Sequence, residues 1–228
     1  MILGAVETKQ IRGHSLFVQM LMEKEPDFDR WVEHPTSCIL HHHRPCCDQA
    51  RLWFLAYARS MEIWTLAQFK VKAPTWLSKI FTWGPSPWPI SWCEVMTAPT
   101  IDCGVFAALA REVFSAQGQV AYAAQGILSY NETCTQHWKD LWQEGCILED
   151  GKKIEDSFPW IGTELVYHEL CVLEMPGHQA RVFDSTFGMW HESHQRLGFG
   201  SLLALRTECP RLLNWGNKTI SYGEWVHL

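Results

Sequence analysis

Four prolines, Pro74, Pro85, Pro87 and Pro89, fall between residues 74 and 92 of this 228-residue chain, among Ser, Thr, Gly and four tryptophans. Each proline fixes its own φ and lacks an N–H, so a stretch this rich in them sustains neither a helix interior nor a central strand. The chain is therefore expected to divide here. Residues 1–92 read as a mostly helical part ending in a Trp/Pro-rich connector, and residues 93–228 as the main core.

Residues 1–47 carry no assignable period. From Asp48 onward, Leu52, Leu55, Ala56, Met61, Ile63 and Leu66 read as a largely buried helix with Asp48 as its cap, ending before Pro74. After the connector, Val105, Phe106, Leu109, Val113 and Phe114 recur at helical spacing. Asp102 suits the N-cap of that helix and Gly118 its stop, which puts Cys103 in the first turn. Val120 to Ile127 follows as a short strand. Residues 131–160 are polar, with turn signals at Gly145, Gly151 and Pro159, and read as an insertion or lid.

A thiol in the first helical turn faces unpaired backbone N–H groups and the positive end of the macrodipole, which favour thiolate and lower its pKa. The same N–H groups, Gly104 among them, can receive the oxyanion formed when a thiolate attacks a carbonyl. A cysteine so placed can equally be one more buried thiol among the chain's nine.

Further on, Leu165–Glu174 and Gln179–Asp184 read as two strands joined by Met175-Pro-Gly. If the loop is those three residues, Glu174 pairs with His178, and the same register sets His168 directly opposite Asp184. A four-residue loop would put the two on opposite faces. On one face, the carboxylate would fix the tautomer of the imidazole.

These residues resemble the transglutaminase-like branch of the papain-like cysteine enzymes. Cys103-Gly-Val-Phe-Ala107 matches the family's Cys-Trp-Val-Phe-Ala helix start at all but its second position, where Gly104 replaces an aromatic. His168-Glu-Leu-Cys-Val-Leu-Glu174 is similar to the strand that begins with the family's base. Val182-Phe-Asp-Ser-Thr186 is similar to its apolar-Asp-Pro/Ser-Thr motif. The resemblance covers roughly residues 95–190. It implies an α+β fold in which the Cys-bearing helix packs on an antiparallel sheet bearing His and Asp. It implies Cys103 as nucleophile, His168 as general base and acid, and Asp184 as the group that orients the base. An upstream Trp often assists the oxyanion hole in this superfamily, and Trp92, Trp76 and Trp64 are the candidates.

The expected function is cysteine-dependent acyl transfer through a thioester on Cys103. Amide bond formation or aminolysis on a small-molecule or carrier-bound acyl substrate is preferred over peptidase or deamidase hydrolysis, and over a catalytically silent binding protein of the same fold. No cofactor and no metal is expected. Thirteen tryptophans fill a core or line an apolar groove, and the core reading is preferred.

A net charge of −6 offers no basic surplus for nucleic acid. The first residues lack the basic start and apolar run of a secretory signal, and no apolar run has membrane-spanning length. A reducing, cytoplasmic setting is expected, because the cysteine spacings show no disulfide framework. His41-His-His-Arg-Pro-Cys46-Cys47 reads as a polar loop. His178, a rival base, should be exposed; His137 is assigned to the lid, and His191 and His194 to solvent.

Overall fold

The computed structural model describes residues 40–41, 45–61, 71–84, 86, 90–130, 160–161, 165–175, 177–191 and 200–227. Among the described residues, four helices run in chain order: α1 (Pro45–Met61), α2 (Leu77–Ile80), α3 (Trp92–Val95) and α4 (Cys103–Ala116). Two short strands, β1 (Leu40–His41) and β2 (Ile90–Ser91), pair parallel to each other. The main sheet consists of β3 (Val120–Tyr130), β4 (Trp160–Ile161), β5 (Leu165–Glu174), β6 (Arg181–Asp184), β7 (Met189–His191), β8 (Gly200–Thr207) and β11 (Val226–His227). Its order is β11-β8-β3-β5-β6-β7, with β4 on β5, and every pairing is antiparallel. A separate hairpin, β9 (Leu213–Trp215) with β10 (Lys218–Ile220), completes an α+β fold.

Strand alternation gives the sheet two apolar faces, each with its own cover. Cys171, Leu173 and Phe183 meet α4 through Val105, Phe106, Leu109, Val113 and Phe114. Leu170, Val172 and Val182 meet Leu213, Trp215 and Ile220 of the β9–β10 hairpin. The α4 face continues into the N-terminal part, where Phe54, Ala58, Trp76, Leu77, Ile90 and Trp92 join the same cluster.

Helix α1 begins at Pro45 rather than at a cap on Asp48, which lies inside the first turn. Proline is well suited to the first helical position because its missing N–H is unpaired there anyway. The helix is also amphipathic rather than largely buried. Phe54 and Ala58 face the core, while Leu52 and Trp53 stand in solvent. Ile63 and Leu66, and the proposed insertion apart from Trp160, lie outside the described residues.

Cys93 is disulfide-bonded, a bond that the cysteine spacing gave no reason to expect. The Cys47 sulfur lies 3.6 Å from it. Among the described residues no helix is long and apolar enough to cross a membrane.

Candidate active site

Helix α4 starts as its sequence indicates. The Asp102 carboxylate accepts the Val105 N–H at 2.9 Å, and the helix ends at Ala116, with Gly118 at φ +75° in the turn that follows. The N-terminal turn is pinned from the side: the Ser86 hydroxyl donates to Asp102 Oδ2 at 2.6 Å, and the Asp102 N–H donates back to Ser86 Oγ at 3.3 Å. The main chain of Trp83 bridges Ile101. Trp83, with its indole nitrogen buried, therefore sits beside the start of α4.

Trp76 and Trp92 are both buried. Both are core residues packed on the Phe54 ring, at 5.9 and 5.5 Å between centroids. Trp64 lies outside the described residues. Position in the sequence could not single out Trp83, since its placement depends on a bridge to a residue 18 positions later.

The β5–β6 hairpin has a longer loop than Met175-Pro-Gly. Pairing runs Cys171 with Phe183, Val172 with Val182 and Leu173 with Arg181, so β6 begins at Arg181 rather than at Gln179. Residues ahead of β6 have other partners: the Ala180 N–H donates to the Asn214 carbonyl of the β9–β10 hairpin, and His178 N–H to Met175 O. Continued, that register sets Asp184 opposite Leu170, two residues from His168. A shift of two preserves the face. The imidazole reaches the carboxylate diagonally, with Nε2 at 3.0 Å from Oδ1.

Asp184 has further donors. The Phe187 N–H reaches Oδ1 at 3.1 Å, and His191 Nε2 reaches Oδ2 at 3.2 Å. His191 is thus buried and bonded, not solvated, because β7 pairs it with Val182 and turns it onto the face that carries Asp184. His194 and His137 lie outside the described residues, and His178 is exposed. The carboxylate has no solvent exposure. Burial alone would raise its pKa, but the charges and hydrogen bonds of His168 and His191 prevail and hold it well below the usual carboxylate range. The Phe187 ring lies 5.7 Å from that of His168.

Cys103 approaches the same strand from the α4 side. The main-chain N–H of Glu169, the residue after His168, is near enough to its sulfur to favour the thiolate. Among the described residues no pairing joins β5 to β6 beyond Cys171, so β6 does not use the Glu169 main chain. Strand alternation puts Glu169 on the face under α4 and His168 on the face it shares with Leu170. Among the described residues no hydrogen bond joins the thiol to the imidazole.

The thiol is not acidified. Burial pushes Cys103 well above its ordinary value, and the Asp102, Glu169 and Asp184 charges push it further, against the opposing Glu169 N–H. The helix N-terminus is also less available to an anion than the sequence suggested. Asp102 occupies the Val105 N–H, one of the first-turn donors, whereas no hydrogen bond to Asp102 takes the Cys103 N–H.

Exposure still separates Cys103 from the other described free thiols. Cys47, Cys171 and Cys209 are buried, whereas Cys103 is partly exposed. Cys171 donates to the Ala107 carbonyl at 3.0 Å, and burial pushes it up to about 12.

No family model matches the chain, and neither a curated protein nor a solved structure does.

Proposed function

We propose that the chain is a cysteine acyltransferase of transglutaminase-like design, with Cys103 as nucleophile, His168 as base and Asp184 as the group that orients the base. The observation that carries this reading is the buried His168–Asp184 pair. With Nε2 donating to the carboxylate, a neutral His168 keeps Nδ1 bare as the basic nitrogen, one residue from the main-chain N–H that favours the thiolate.

The resting group is the neutral thiol, so the chemistry is general-base catalysis rather than attack by a preformed thiolate. His168 Nδ1 takes the thiol proton as the sulfur bonds to an amide, ester or thioester carbonyl carbon. The oxyanion is met by the Cys103 N–H. Its collapse breaks the bond to the leaving group, which departs with the proton from His168. An amine or water then attacks the thioester, giving an amide or an acid. A small-molecule or carrier-bound acyl donor with an amine acceptor is the preferred pair, and peptidase or deamidase hydrolysis is the alternative. Strand alternation puts His168 on the face away from α4, so the transfer requires its ring to reach the thiol past the β5 edge that β6 leaves unpaired beyond Cys171.

A second reading, a catalytically silent binding protein, is favoured by one observation: three carboxylates raise the thiol they surround. Intact-mass spectrometry after incubation with acyl thioesters and amides separates the two. The enzyme gains the acyl mass on Cys103, and Cys103→Ala does not. Absence of an adduct from every donor class leaves the binding reading standing.

A further inference from the structure

We infer that His191 is a positioning residue of this site, holding the Asp184 carboxylate in the orientation that keeps the His168 proton on Nε2. The inference rests on the acyl-transfer reading above and assigns its site a residue outside the Cys-His-Asp set.

Asp184 stands between two strands, and each brings one imidazole to it. From β5, His168 reaches Oδ1; from β7, His191 reaches Oδ2. Both histidines are nearly fully buried and the carboxylate wholly so. The Phe187 N–H completes Oδ1, so His191 is the described partner of Oδ2.

Two consequences follow from the valences. A carboxylate only accepts, so each neutral imidazole must carry its proton on Nε2 to bond it. If His191 stops donating, Oδ2 is a buried acceptor without a described donor. The carboxylate then turns towards its remaining donors or takes up a proton. Either change loosens the hold on His168 Nε2 and admits the Nδ1–H tautomer, which cannot accept the Cys103 proton.

Nitrogen-15 NMR of the two rings tests this together with the rate of Cys103 alkylation by iodoacetamide. In the wild type both rings are expected as single Nε2–H tautomers. His191→Met fills a similar volume without a donor. It should give mixed tautomers at His168 and slow alkylation about tenfold, the size expected for one unsatisfied buried acceptor. His191→Gln presents an amide N–H at a similar reach and should keep one His168 tautomer and a near-wild-type rate. A merely structural residue would not move the tautomer.

The inference is overturned if His191 carries its proton on Nδ1 in the wild type, if His191→Met leaves both readouts unchanged, or if His191→Gln loses as much as His191→Met. Should the Met variant not fold, the wild-type and Gln spectra decide. His168→Ala serves as the control for the underlying reading. Unchanged Cys103 alkylation in that variant removes the base assignment, whereas the ring tautomers report on His191 whatever the thiol does.

Discussion

The Nε2 of His168 lies 3.0 Å from Oδ1 of Asp184 although their strands are registered to set Asp184 opposite Leu170. Diagonal neighbours on one face of an antiparallel pair are roughly 7–8 Å apart at Cα, a gap that an imidazole and a carboxylate together span. The contact therefore survives a loop of unexpected length, provided the register shifts by an even number.

Acid should unfold this protein through Asp184. Its folded pKa is depressed, so its contribution is complete above the unfolded value of about 3.9 and is lost as the pH falls through the folded one. Asp184→Asn should lower stability by about 3 kcal/mol at pH 7 and weaken the acid dependence. Urea titrations at pH 7 and pH 3 check both; an acid profile unchanged in the variant would locate the sensitive group elsewhere.

Asp102→Asn should speed alkylation of Cys103 by about tenfold near pH 8. Asparagine keeps an oxygen for the Val105 N–H, so the helix cap persists, while one of the charges that raise the thiol disappears. Timed iodoacetamide labelling followed by peptide mapping measures the change. The folded thiol value is raised, so its stabilising contribution is full below the unfolded value and declines as the pH rises towards the folded one.

Two glycines with positive φ should respond differently to alanine. Gly118→Ala meets open space and incurs mainly backbone strain, about 1 kcal/mol. Gly188→Ala would set a Cβ 2.9 Å from Ser78 Oγ and 3.0 Å from the Thr75 carbonyl, displacing the turn that carries Phe187 to Asp184. A larger loss, about 3 kcal/mol, is expected, along with slower Cys103 chemistry. Equal thermal shifts in the two variants would contradict the crowding argument.

Phe54→Ala should cost about 4 kcal/mol, since its ring is enclosed by Trp76 and Trp92. Leu52→Ala, two positions earlier on the same helix, stands 61% exposed and should stay within about 0.5 kcal/mol. Chemical denaturation of the pair tests which side of α1 faces the core.

Much of the site was legible in the chain because its cues are local. The Asp102 cap, the helix from Cys103 and the strand Leu165–Glu174 each depend on residues a few positions apart. His191 was misread as solvated because no local cue marks a single buried histidine; its burial depends on pairing with Val182. Strand β8 (Gly200–Thr207), an inner strand between β11 and β3, shows no clean apolar–polar alternation in its sequence. Cover from several elements replaces the half-exposed alternation that a reader looks for.

By itself the amino-acid order determined which segments bend, coil or extend; that His168 and Asp184 share a face was decided by the strand register, which differs from the three-residue-loop one by an even shift. Tertiary structure decided the protonation of Cys103 and the bridging of Asp184 by two imidazoles. Both depend on charges and burial contributed by segments far apart in the chain, and electrostatic energy follows distance in space rather than separation along the backbone.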